Sequence, residues 1–218
     1  RGRGFYVDAG MSLLGRVIAA FGNPLAHGDA PSCRQHVALY REPPPAFARR
    51  PIEDQVSSGV RVIDALLPVG RGQRLGLFAG TGVGKSTLLG MLCRQAKADV
   101  VVVGLLGERG REVGAFVRNA LGPALFERAG NTAGPGGITA IYTVLVEGDD
   151  LQDPIADAVR GTLDGHIVLS RQLAERGVFP AVDVLASVSR VIGDITAPEH
   201  RQAASCVRDL MAAARDAD

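Results

Sequence analysis

The sequence predicts an α/β fold on a mainly parallel sheet, and three stretches carry that expectation. Leu75–Ala79 is a short apolar run that enters a glycine-rich loop and then a helical pattern. Val100–Leu106, bounded by Asp99 and Gly107, opens with four valines and reads as a strand buried on both faces. Ile138–Val146 is a third β-rich segment, closed by Glu147-Gly148-Asp149-Asp150. Strand, helix, strand in that order is the signature of parallel pairing.

The loop Ala79-Gly80-Thr81-Gly82-Val83-Gly84-Lys85-Ser86-Thr87 fits the P-loop pattern, with Ala79 in place of the first glycine. That position needs only a small residue. Gly80, Gly82 and Gly84 allow backbone angles that turn successive N–H groups toward one concave side, where they cradle phosphate oxygens. The helix starting near Lys85 adds the positive end of its dipole. In this pattern Lys85 reaches the β- and γ-phosphates and Ser86 ligates Mg²⁺. The bland alternative is a plain glycine-rich turn. Beyond the loop, Leu88, Leu89, Leu92 and Ala96 recur at helical spacing and form an apolar face, with Cys93 beside it in a packing role.

The remaining elements follow in order. Residues 1–50 are turn-rich, with Gly22-Asn23-Pro24 and Gly28-Asp29-Ala30-Pro31 between short apolar runs, which predicts short strands and loops without a core. Pro43-Pro44-Pro45 is a stiff, extended boundary. Ser58–Leu67 is patterned as a short helix closed by Pro68, and Gly70–Gln73 as a turn into the P-loop strand. Pro154 suits the first turn of a helix running to about Leu163. Ile167–Leu169 is a strand, and Val178–Leu185 with Ser187–Arg190 completes the core. Thr196-x-x-Glu199 reads as a capping box opening a final helix through Ala214.

Composition narrows the function. The chain has 218 residues, 46% of them hydrophobic, enough for one sizeable α/β domain, and a net charge of +1. No Lys/Arg run is interleaved with aromatics, so no nucleic-acid partner is expected. Three widely spaced cysteines, Cys33, Cys93 and Cys206, argue against a disulfide framework and fit a reducing cytosol. Cys33 and His36 have metal-ligand spacing, but only His27 is near as a third ligand, too few for a site. No apolar run reaches a membrane span, no signal-peptide region is evident, and the opening Arg1-Gly2-Arg3-Gly4 reads as a fragment start.

Taken together, five pieces resemble the ATPases of flagellar and type III protein export, which are relatives of the F-type ATPase α and β subunits. The pieces are Ala79–Thr87, Gly107–Glu112, Tyr142–Asp150, Leu163–Arg171 and Phe179–Arg190. Glu127–Asn131 and Gln152–Asp157 lean toward the flagellar branch. The resemblance implies a RecA-like P-loop core over 51–195, a remnant of an N-terminal β-barrel with its linker over 1–50, and the start of a C-terminal helical domain over 196–218. It implies ATP and Mg²⁺ as cofactors, with nucleotide held by Gly80, Thr81, Gly82, Val83, Gly84, Lys85, Ser86 and Thr87. It further implies a homohexamer and partners among export-apparatus stalk and regulator proteins and chaperone–substrate complexes. The expected location is the cytoplasm, peripheral to the inner-membrane export gate.

Single roles carry over by position. Glu108 matches the carboxylate that polarises the attacking water; its competing reading is a solvated loop charge. Arg190 matches an arginine finger reaching the neighbouring subunit's site; the competing reading is a surface ion pair. Phe179 sits where the family stacks an aromatic on adenine, although an aromatic also serves as core. His166 reads as structural.

One departure matters. The family's Walker B acid, at the end of an apolar run, belongs between Gly107–Glu112 and Glu127–Asn131. Here Ala120-Leu121-Gly122-Pro123 runs directly into Ala124-Leu125-Phe126-Glu127, so a block reads as missing near Pro123/Ala124. With the Walker B strand expected beside the P-loop strand, its loss predicts an exposed edge on a central strand. Two functions compete: an ATPase energising protein export, and a nucleotide-binding module that no longer hydrolyses. A rotary-synthase subunit or an RNA translocase shares this core and is less favoured.

Overall fold

The computed structural model describes residues 6–19, 22–25, 32–33, 35–38, 51–104, 138–145, 157, 160–161 and 163–217. The chain divides into two compact units, one holding residues 1–51 with 99–102 and 123–131, the other holding the rest.

In the first unit, β1 (Tyr6–Ala9) and β2 (Gln35–Ala38) pair antiparallel, from Tyr6↔Ala38 to Ala9↔Gln35. Tyr6 stacks on His36 with ring centroids 4.8 Å apart, and His36 Nδ1 lies 2.7 Å from Asp8 Oδ1. None of its described residues is fully buried, as the turn-rich composition predicts.

The expected strand at Val100–Leu106 is not found where it can be followed. Residues 100–104 carry no strand, and Val102 is 88% exposed. Valine content suits a strand, but a strand exists only with a partner ladder, and no described strand offers these residues one.

The second unit is built on a four-stranded sheet ordered β6-β5-β7-β8. Its strands are β5 (Arg74–Ala79), β6 (Ala140–Leu145), β7 (Gly165–Leu169) and β8 (Val182–Ser189). β5 pairs in parallel on both sides, with β6 from Arg74↔Ala140 to Ala79↔Leu145 and with β7 from Gly76↔His166 to Phe78↔Val168. Five of its six residues are buried, as a strand flanked on both edges and covered on both faces requires. The P-loop strand is therefore not the exposed edge that the missing block suggested. Among the described strands β6 takes that position, because β6 and β7 already occupy both sides of β5.

Close packing explains two details of the sheet. A Cβ on Gly76 would stand 2.5 Å from Phe78 Cε2 and 2.6 Å from Leu163 Cδ1, so only glycine fits there. β8 runs antiparallel to β7 and bulges: Val168 faces Asp183 while His166 faces Val188. Polar side chains satisfy the displaced backbone. Ser187 Oγ accepts from Val168 N at 2.9 Å and donates to Asp183 O at 2.5 Å. Asp183 Oδ1 accepts from Leu185 N and Ala186 N, each at 3.0 Å.

α2 (Lys85–Gln95) follows β5 and turns Leu88, Leu92 and Cys93 inward. The core joins Leu88 and Leu92 to Leu75, Leu77, Ile167, Val182 and Val184, with Ile63 from α1 (Arg61–Leu66) and Leu67 just after it. Burial raises the Cys93 thiol above its ordinary value, which keeps it protonated and fits its packing role.

α1 starts three residues later than its pattern suggests. Asp64 claims the preceding residues, accepting from Ser57 Oγ, Ser58 N, Ser58 Oγ and Gly59 N. Gly59 sits at φ +74, where a Cβ would meet Gln95 Cβ at 2.3 Å. β3 (Gln55–Val56) and β4 (Val69–Gly70) bracket α1 as an antiparallel pair.

At the C-terminal side, α3 (Arg171–Glu175) links β7 to β8, and α4 (Ile192–Ile195) leads to α5 (Pro198–Ala217). The predicted capping box does not form. The Thr196 hydroxyl donates to Ile192 O at 2.5 Å, and the helix begins at Pro198, whose fixed φ suits a first turn. α5 packs on α1 and β8. His200 Nε2 donates to Ala65 O at 2.7 Å, and Arg215 Nη2 to Asp183 Oδ1 at 2.7 Å.

Candidate nucleotide site

The P-loop leaves β5 at the C-terminal end of the parallel strands, where open α/β sheets present their ligand sites. Gly82 and Gly84 adopt φ of +84° and +93°. These left-handed angles fold the loop back on itself before α2 begins at Lys85. Gly84 caps α2, its carbonyl accepting from Leu88 N at 2.9 Å. Val83 is buried among Leu77 and Leu88, so its side chain anchors the loop and only its backbone faces the site. Thr81, Gly82, Ser86 and Thr87 are exposed, and Lys85 is half-buried. Concave glycine backbone, a helix N-terminus, and a lysine and a hydroxyl in its first turn form a donor set that fits a polyphosphate and one Mg²⁺ ligand.

Phe179 lies outside the core, in the open beside the loop. Its ring is 64% exposed, and a Cβ on Gly84 would stand 3.8 Å from its Cδ1 and Cε1. An aromatic face in the open beside the phosphate cradle is the shape of a base platform.

Arg171 escaped the sequence reading as a site residue. Its Nη2 donates to the Thr81 carbonyl at 3.2 Å. The available signal was its place directly after a strand that pairs parallel to the P-loop strand, at the ligand end of the sheet.

Arg190 lies elsewhere. β8 is antiparallel to β7, so Arg190, just after the Ser189↔Gly165 pair, stands at the N-terminal end of β7 and β5. Ala79 is four residues beyond the level of Gly165, a separation of about 13 Å along the strand. Arg190 thus cannot join its own chain's P-loop, as the finger reading requires. Its backbone N donates to Asp164 O at 3.2 Å and its Nη2 to Arg160 O at 3.3 Å.

Asp164 organises that far end. Arg74 donates to it three times, from Nη2 to Oδ1 at 2.9 Å, and to Oδ2 from Nε at 3.1 Å and from N at 2.9 Å. These hydrogen bonds hold the Asp164 carboxyl below its ordinary value, and the same pair raises the Arg74 guanidinium. Gln73, fully buried, donates from Nε2 to Asp164 O at 2.9 Å and accepts from Gly70 N at 2.8 Å. His166 is structural: Nε2 donates to Ala186 O at 3.1 Å, and its ring meets Phe78 edge-on. Burial lowers its pKa and keeps it neutral. Glu108 and the Pro123/Ala124 junction lie outside the described residues. Cys33 and His36 join no metal cluster among the described residues.

Known proteins match both sequence and fold. The flagellum-specific ATP synthase of Salmonella typhimurium is 41% identical, over 90% of this chain and 61% of its own length. The SPI-2 type 3 secretion system ATPase of the same organism is 38% identical, over 94% of this chain and 66% of its own. The chain thus spans less than two thirds of either relative. The first alignment runs over 278 residues, more than the 218 of the chain, so the relative holds internal residues with no counterpart here. Among solved structures, the assembled ATPase EscN of enteropathogenic E. coli superposes with a TM-score of 0.87 at 35% identity, over 99% of this chain and 72% of that one. EscN in complex with its central stalk EscO gives 0.83 at 34%, over 97% and 70%. The sequence model of the ATP synthase alpha/beta family, nucleotide-binding domain, matches residues 59–125 and 120–189. This chain belongs to the ATP synthase alpha/beta family and carries its P-loop nucleotide-binding fold.

Proposed function

We propose that the chain is the ATP-binding and ATP-hydrolysing subunit that energises protein export through a flagellar or type III secretion apparatus. The observation that carries this reading is the P-loop at the end of β5, with Gly82 and Gly84 at positive φ and α2 starting at Lys85. The export relatives named above supply the physiological context. Backbone groups of Gly80–Thr87 hold the phosphates, Lys85 binds the β/γ oxygens, and the Ser86 hydroxyl offers a ligand to Mg²⁺. When bound, that ion offsets phosphate charge. Phe179 stacks on adenine, Glu108 orients the water, and Arg190 serves the neighbouring copy's site.

The Arg190 assignment requires an oligomer, for which we take a homohexamer; assembled EscN and its complex with a central stalk support a homo-oligomer with a stalk partner. Regulator proteins and chaperone–substrate complexes complete the partner set. We place the assembly in the cytoplasm, against the inner-membrane export gate, and on the flagellar side of the family. In this reading residues 1–50 are a barrel remnant with its linker, 51–195 the ATPase core and 196–218 the start of a helical domain. The two-piece family match, meeting at 120–125, supports a lost block around Pro123/Ala124 that includes the Walker B acid. The alternative reading is nucleotide binding without turnover.

Fluorescent mant-ATP and a malachite-green assay on the purified chain separate the two. Lys85→Ala should weaken mant-ATP binding about a hundredfold, as losing charged hydrogen bonds to phosphate costs. Phosphate release that vanishes in Glu108→Ala establishes the ATPase. Binding without release establishes the second reading, and no mant-ATP binding rejects both.

A further inference from the structure

We propose that Arg171 is a positioning residue of the P-loop, a latch that keeps the Gly82 N–H turned into the phosphate cradle. The inference rests on the nucleotide-binding reading above. A peptide unit is planar and trans, so its C=O and N–H point in opposite directions. The carbonyl of Thr81 and the N–H of Gly82 belong to one such unit. Arg171 Nη2 holds that carbonyl at 3.2 Å, and so fixes the N–H on the opposite side. The restraint acts where the loop is most able to turn over. Gly82 is at φ +84, and among the described residues a Cβ there would meet nothing within 4 Å, so no described side chain braces this peptide from that side.

The latch is itself well rooted. Arg171 opens α3 directly after β7, and Ser170 is fixed on two sides. Its N donates to Ala181 O at 2.8 Å, and its Oγ accepts from Leu173 N at 3.4 Å. The β7–β8 connection therefore holds the P-loop at the Thr81 carbonyl through Arg171 and sets Phe179 beside Gly84. The first acts on phosphate and the second on base. A guanidinium donating to a carbonyl is a charge-assisted bond, stronger than a neutral one.

The test compares ligands with and without phosphate on the intact chain. ATP, ADP and adenosine are titrated by calorimetry against wild type, Arg171→Met and Arg171→Lys. Arg171→Met should bind ATP and ADP about tenfold more weakly with adenosine unchanged, and Arg171→Lys, which keeps a donor, should recover to within threefold. ATP affinity in Arg171→Met within twofold of wild type overturns the latch. So does an equal loss for adenosine, or no recovery in Arg171→Lys. Failure of wild type to bind ATP at all strikes the underlying reading instead, so the two failures are distinct.

Discussion

At its C-terminal end β5 opens into the loop Gly80–Gly84 and the first turn of α2, with Thr81, Gly82, Ser86 and Thr87 facing solvent. At its N-terminal end the same strand closes on itself: Arg74 and Gln73 together donate four hydrogen bonds to Asp164. The first end holds donors aimed outward, ready for an anion. The second turns its Arg74 and Gln73 donors inward, onto Asp164 of the same chain. One strand thus separates a region built for a ligand from a region built for stability, and substitutions at the two ends should give separable phenotypes.

Two changes at the closed end should lower stability and leave ATP affinity within twofold. Gln73→Leu removes the acceptor of the Gly70 N–H in a fully buried position. It should cost about 1–3 kcal/mol in urea denaturation, the usual penalty of stranding a buried polar group. Asp164→Ala breaks a pair that is partly exposed on both sides, so solvent screening limits the loss to about 1–2 kcal/mol. ATP binding that falls in parallel with stability in either variant breaks the comparison.

The smallest effect is a pH slope. His166 is neutral in the fold because burial lowers its pKa, whereas the unfolded chain takes up a proton near pH 6.5. The unfolded state then binds more protons below that value. The stability contribution is complete above about pH 6.5 and falls as the pH drops below it. His166→Gln should lose this part of the slope, and urea midpoints at pH 7.5 and 5.5 would show it.

What the sequence made legible follows the range of the interactions. The P-loop was readable because its meaning lies in nine consecutive residues, and the strands at Ala140–Leu145 and Gly165–Leu169 were readable from apolar runs, whereas Val182–Ser189 was legible only as part of the core. The valines at 100–103 misled because their fate depends on a partner strand far away in sequence. The β8 bulge was hidden for a related reason, since it depends on how Asp183 and Ser187 meet Val168. Thr196 and Glu199 have capping-box spacing, yet Pro198 sets the helix start. Arg171 was within a quoted stretch, but nothing local reveals that it reaches back to Thr81, ninety positions earlier. Of the site, the cradle was legible and its latch was not.

The location of Arg190 at the end of the sheet away from the P-loop has a genetic consequence. If, as proposed, Arg190 serves the neighbouring copy's site in a ring, a chain damaged at Lys85 still carries an intact finger, and a chain damaged at Arg190 still carries an intact cradle. Neither alone can form a whole site in a ring. Mixed in one ring, they would rebuild whole sites wherever a sound cradle meets a sound finger. Two null alleles co-expressed would then complement each other, whereas either allele paired with a second copy of itself would not.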